Sequence, residues 1–177
     1  MLNTTIIFRH RRENLKKCSL SGLENRQEIH FFSYPLKEKK NLIGVDDHEF
    51  KQPAQWQLTD FNKYFSSSPF ILLTMNAPSL SIEDKDKGIV LIDGTWKLAS
   101  EMIRHLPFLS LCIPRSLPEG YQTAYPRKQT HCPDPNSGLA SVEALFLAYH
   151  LLNRDTSGLL DNYYWRKEFL IKNRLDF

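Results

Sequence analysis

The chain has 177 residues, enough for one domain or for one domain with a small lobe. A chain of that length buries roughly 70% of its unfolded surface, so it needs no disulfide or metal staples. It is 41% hydrophobic and 24% charged with a formal net charge of +3, which permits nucleic-acid binding without demanding it. Ten prolines against seven glycines argue against a glycine-rich phosphate cradle. The three cysteines, Cys18, Cys112 and Cys132, are odd in number and lack CxxC spacing. They exclude a disulfide framework and suit a reducing compartment. The apolar start, Met1 to Phe8, is followed by Arg9, His10, Arg11 and Arg12. A signal peptide has the opposite order. No run approaches the roughly 20 apolar residues of a membrane span, so the expectation is a cytoplasmic protein.

Along the chain, Thr4 to Phe8 reads as a short strand. Glu28 to Tyr34 reads as a second, ended by Pro35. Residues 37–50 are charged and read as a loop. Pro69 to Met75 is a continuous apolar run, the pattern of a strand buried on both faces. Residues 76–87 read as a loop, and Gly88 to Ile92 as another buried strand. Asp93-Gly94 is a turn signal. Trp96 to His105 has helical spacing through Leu98, Ala99, Met102 and Ile103. Leu109 to Ile113 reads as a strand closed by Pro114.

Pro114 to Gly138 shows no periodicity, and an irregular stretch that long in a compact domain is usually functional. Leu139 to Leu152 reads as a helix apolar nearly all round, hence buried. Asp155 to Gly158 breaks it. Gly158 to Lys172 reads as a last aromatic helix or pair of turns. Strands alternating with helices give an α/β class with a largely parallel sheet. We divide the chain at residue 68, with an N-terminal part at 1–68 and the main part at 69–177.

Basic residues cluster in two places. Arg9, Arg11, Arg12, Lys16 and Lys17 lie near the start. Arg115, Arg127 and Lys128 lie among Tyr121, Tyr125 and His131. Bases interleaved with aromatics suit phosphate contact plus base stacking, so Arg9, Arg11, Arg12, Lys16, Lys17, Arg127 and Lys128 are candidate RNA contacts. A solvated charged face is the plainer reading.

Ligands of open α/β sheets sit beyond the carboxyl ends of the strands. Asp93-Gly94-Thr95-Trp96 falls at such a junction. There Asp93 can cap the following helix, or carboxylate and indole together can wall a cationic ligand. Glu143 is the only acid in Leu139 to Ala144. It is either a first-turn glutamate favoured by the helix dipole or a buried acid paired with Arg127 or Arg115. Cys18 is a packing residue rather than a nucleophile. His131-Cys132 lacks zinc spacing, so no metal is expected. No G-x-G-x-x-G follows a strand, which argues against a Rossmann-type methyltransferase.

Three segments in order, Lys16-Lys17-Cys18-Ser19, Ile92-Asp93-Gly94-Thr95-Trp96, and Tyr125 with Leu139-Ala140-Ser141-Val142-Glu143-Ala144-Leu145, resemble a known family. Trp165 to Asn173 also fits. The chain is similar to the aminocarboxypropyltransferases of small-subunit ribosomal RNA and to the related DTW-domain enzymes of transfer RNA. The resemblance spans nearly the whole chain. It implies a SPOUT-like parallel-sheet fold with a knotted C-terminal part that binds S-adenosylmethionine. It further implies transfer of the 3-amino-3-carboxypropyl group to a uridine or pseudouridine of RNA, ribosomal RNA being favoured.

On that resemblance Asp93 and Trp96 contact the transferred side chain and serve catalysis. Ser19, Thr95, Leu139, Ser141 and Glu143 join them around the cofactor. The four-cysteine cluster of many DTW enzymes is absent, which points to the ribosomal branch. Tyr121 to Pro135 departs from that branch's loop. Two other functions fit the same fold: RNA methyl transfer, and RNA binding without catalysis in ribosome assembly.

Overall fold

The computed structural model describes residues 4–14, 18–34, 58–126 and 138–175. Five parallel strands form one sheet in the order β2-β1-β4-β3-β5. They are β1 (Thr5–His10), β2 (Ile29–Tyr34), β3 (Phe70–Leu73), β4 (Gly88–Asp93) and β5 (Ile113–Arg115). The helices are α1 (Leu58–Ser67), α2 (Trp96–His105), α3 (Ser141–Leu151) and α4 (Arg166–Asn173). The α/β class and the parallel sheet expected from the sequence are present. β1 and β2 come from the first 68 residues yet share the sheet with β3, β4 and β5. The boundary at residue 68 therefore separates stretches of chain, not separate sheets.

The two faces of the sheet carry different packing. On one, Ile6, Phe8, Phe32, Phe70 and Val90 meet α1, α2 and a short 3-10 turn at Pro107–Leu111. This face is aromatic: Phe61 stacks on Phe108 with centroids 4.8 Å apart, and Phe65 meets Phe70 edge-on at 4.8 Å. Phe70 also lies flat against Gly88 of the neighbouring strand, where an added Cβ would fall 2.2 Å from the ring. On the other face, Ile7, Ile29, Phe31, Ile71, Ile89 and Leu91 pack with α3, α4 and residues 20–23. Val142, Leu145, Phe146, Leu147, Ala148 and Tyr149 of α3 are all buried. The all-round apolar pattern of that helix has this cause.

Two expectations need correction. Leu109 to Ile113 is not a strand. Pro107 starts a 3-10 turn that buries Phe108 and Leu109, and the strand begins only at Ile113. Pro114 lies inside β5 instead of closing a strand, which is tolerated because β5 is an edge. Helix α1 was not anticipated, although Phe61 and Phe65 stand one helical turn apart and are both buried. The charged stretch 37–50 lies outside the described residues.

Candidate functional site

The chain leaves β1 towards β2 on one side and leaves β4 towards β5 on the other. The carboxyl ends of β1 and β4 are therefore the switch point of the sheet, where such folds open a crevice. Residues Arg9 and Asp93 are register partners there. Arg9 Nε donates to Asp93 Oδ2 at 2.9 Å, and Arg9 Nη1 donates to Glu24 Oε1 at 3.3 Å. The guanidinium also sits 4.4 Å from the Phe31 ring centre.

Asp93 gathers further donors. Ser141 Oγ, at the first turn of α3, donates to Oδ1 at 2.7 Å. Cys18 Sγ donates to Oδ2 at 3.5 Å. Burial first, and then the charge of Asp93, push the Cys18 thiol up to about 12, so the sulfur stays protonated and acts as a donor. That agrees with reading Cys18 as a packing residue. Asp93 thus ties β4 to β1, to the segment after β1 and to α3.

The capping question is resolved by Thr95. Its hydroxyl accepts from Leu98 N at 3.5 Å and caps α2, while Asp93 remains on the strand. Thr95 N donates to Glu13 Oε1 at 3.1 Å, which anchors the loop after β1 beside the Asp93 turn. Burial, followed by the charge of Asp93, raises the Glu13 pKa. Trp96 is half-buried at the start of α2. At Gly94 an added Cβ would stand in ordinary van der Waals contact with Leu98 at 3.5 Å and His10 at 3.6 Å.

Ser19 also joins the site: its Oγ accepts from Val142 N at 3.3 Å, meeting an amide at the free end of α3. Leu139 is half-buried and packs against the core beneath α3.

Glu143 is the first-turn glutamate of the sequence reading, accepting from Ala140 N at the start of α3, and it holds a further segment as well. It is fully buried and takes four donors. Ala124 N and Tyr163 Oη reach Oε1 at 2.8 Å each. Thr123 Oγ1 and Ala140 N reach Oε2 at 2.7 Å each. Every acceptor position of the carboxylate is used by the protein, so Glu143 binds the segment around residues 123–125 to α3 rather than a ligand. It has no ion pair with Arg115, which instead pairs with Asp84 at 2.8 Å.

The basic cluster divides. Arg11 and Arg12 are exposed. Arg9 is only 4% exposed and is committed to Asp93 and Glu24, so it is withdrawn as an RNA contact. A cation inside a sheet needs fixed anionic partners, and β1 is an interior strand, between β2 and β4, that supplies that setting. Lys16, Lys17, Arg127 and Lys128 lie outside the described residues. Sequence reasoning missed Glu13, Glu24 and Tyr163, whose partners come from distant parts of the chain. Among the described residues, no group of three or more His, Cys, Asp or Glu stands where it could hold a metal ion. No helix among them is long and apolar enough to cross a membrane.

Comparison with known proteins adds to this geometry. No curated protein matches the chain with significance. A solved structure, that of the SAM-dependent rRNA:acp-transferase Tsr3 from Vulcanisaeta distributa, shares the fold with a TM-score of 0.60 at 21% sequence identity. The likeness covers 98% of this chain and 80% of that one. The DTW-domain family model matches residues 1–168, a span that includes the Asp93-Gly94-Thr95-Trp96 turn, and the chain therefore belongs to the DTW-domain family.

Proposed function

We propose that this protein transfers the 3-amino-3-carboxypropyl group of S-adenosylmethionine to a uridine or pseudouridine base in RNA, with ribosomal RNA favoured. Membership of the DTW family and the fold shared with an rRNA acp-transferase support the reading. The observation that carries it is the arrangement of Asp93. An ionised carboxylate offers about four acceptor positions, and Arg9, Cys18 and Ser141 use three of them. Among the described residues, one position on Oδ1 is left for a cationic donor at the switch point.

The site suits the group to be moved. Asp93 takes the amino group of the aminocarboxypropyl chain, and the half-buried indole of Trp96 suits a neighbouring positive charge. Ser141 and Ser19, at the N-terminal turn of α3, stand with Thr95 on the rim. The helix end favours the carboxylate by its partial positive charge. Leu139 supplies an apolar wall. Glu143 holds the frame from behind. S-adenosylmethionine supplies a sulfonium that activates three carbons. Selecting one of them is a matter of positioning, which a carboxylate fixed on three sides performs. Arg11, Arg12, Lys16, Lys17, Arg127 and Lys128 meet the RNA backbone. The SPOUT-like label, the knotted C-terminal part and a cytoplasmic location belong to the same proposal.

The test uses two samples of S-adenosylmethionine, one labelled in the carboxypropyl chain and one in the methyl group. Each is incubated with the protein and with RNA from cells lacking it. Chain label in RNA without methyl label is the expected result. Methyl label alone makes the protein a methyltransferase. No label, with no cofactor binding by calorimetry, makes it an RNA-binding factor.

A further inference from the structure

We propose that the corner formed by Tyr164 and Trp165, just ahead of α4, is a stacking platform for an unpaired base of single-stranded RNA. The proposal rests on RNA being the substrate, and it adds a contact that the basic clusters do not supply. Tyr164 is 87% exposed, far more than any other large hydrophobic side chain described. Its ring is nevertheless held in place. It meets Trp165 edge-on with centroids 5.0 Å apart and planes at 74°. Trp165 meets Tyr125 in the same way, at 5.0 Å and 73°. Trp165 and Tyr125 both pack against the core. A ring held by one T-shaped aromatic contact and otherwise exposed is built to stack, not to fill a core.

The segment that follows Tyr164 carries several cations. Arg166 pairs with Asp161 and Lys172 with Glu168. Lys167 and Arg174 are exposed and have no ion pair among the described residues. Lys167 follows Tyr164 by three residues, and an exposed aromatic ring with a cation that near along the chain matches a base and its phosphate. It does not match a protein partner, which would call for a contiguous apolar patch. The platform is also wired to the site. Tyr163 Oη, one residue before Tyr164, donates to Glu143. Tyr125 N donates to Thr123 Oγ1, which itself donates to Glu143. A base held on Tyr164 therefore rests on the same frame that carries Ser141 to Asp93.

The affinity of the full chain for a fluorescent oligouridylate, read by anisotropy at low and moderate salt, tests this. Tyr164→Ala is expected to weaken binding about tenfold, and Tyr164→Phe to stay within about twofold because the ring is kept. Lys167→Ala is expected to make the salt dependence shallower by somewhat under one unit of logarithmic slope, as for one single-strand phosphate. Tyr164→Ala binding as tightly as the parent overturns the platform, as does a parent that binds no oligouridylate. The two proposals fail separately. Unchanged RNA affinity in Tyr164→Ala with intact label transfer removes the platform alone. A parent that binds RNA through Tyr164 but transfers no label removes the transferase reading alone.

Discussion

Asp93 and Glu143 are both buried carboxylates, 5% and 0% exposed, and both touch the N-terminal turn of α3. Their surroundings differ in kind. Glu143 is met by four neutral donors from Thr123, Ala124, Ala140 and Tyr163, and nothing of it remains for a ligand. Among the described residues, Asp93 is met by one cation, one thiol and one hydroxyl, which leaves an acceptor position at the switch point. A buried acid with a saturated set of donors serves the fold. A buried acid with an opening at the switch point is placed for the chemistry proposed for Asp93. Substitutions should separate the two roles.

Glu143→Ala is expected to have the largest effect. It leaves two backbone amides and two hydroxyls without their acceptor, each costing about 1–3 kcal/mol when unsatisfied. Relaxation and water recover part of the loss. A destabilisation of about 3–5 kcal/mol should appear in urea denaturation. Glu143→Gln should lose less, because only the amide nitrogen turns a donor towards Ala140 N or Thr123. If Glu143→Ala kept its stability and lost only cofactor binding, the contrast with Asp93 would collapse.

Asp93→Asn comes next. It keeps the shape of the side chain but removes the charge opposite Arg9 and the charge offered to a cationic ligand. A hydrogen bond to a charged group contributes about 1.5–3 kcal/mol. Calorimetry should therefore show S-adenosylmethionine binding weakened by about tenfold to a hundredfold, with transfer of label falling at least as far. Full transfer activity in both Asp93→Asn and Trp96→Ala would remove these residues from the site.

The same two acids mark what the sequence makes legible. Asp93 stands out because a local pattern carries it: a buried strand, a turn, a capping threonine and a helix, all within 20 residues. Glu143 stands out as a lone acid in an apolar helix, and burial follows from that. Its partners do not, because Thr123 and Tyr163 are each 20 residues away in sequence and only the folded chain brings them together. Arg9 departs from its sequence pattern for a related reason. In sequence it joins a run of cations, but β1 alternates its faces, and its register with β4 turns Arg9 to Asp93. The β5 strand was shifted because Leu109 to Ile113 is apolar enough for a strand, yet Pro107 diverts it into a 3-10 turn.

Ser19→Ala probes the seam between the two acids with a smaller change. It removes the acceptor for Val142 N, a contact of the same sort as an N-cap, worth about 1 kcal/mol. Ser19→Thr retains the hydroxyl and should restore stability in thermal melts. A Ser19→Ala protein as stable as the parent would mean that water replaces the hydroxyl without loss.

Glu13→Gln tests the Asp93 side through pH. Burial and the nearby charge of Asp93 raise the Glu13 pKa above its ordinary 4.5. In the window between 4.5 and the raised value, the folded state holds a proton that the unfolded state has released. The associated stability is complete below 4.5 and is lost as pH rises through the folded value. Asp84 has the opposite sign. Burial pushes its pKa up, but hydrogen bonds from Arg115 and Lys87 outweigh that and lower it, so its contribution is lost only as pH falls through its depressed value. Glu13→Gln keeps an oxygen for Thr95 N and removes the titration. Its stability profile should therefore lose the decline that the parent shows just above pH 4.5, while the loss at lower pH that belongs to Asp84 persists. If parent and variant decline alike above pH 4.5, the Glu13 carboxyl is not held above its ordinary 4.5, and neither its burial nor the charge of Asp93 acts on it.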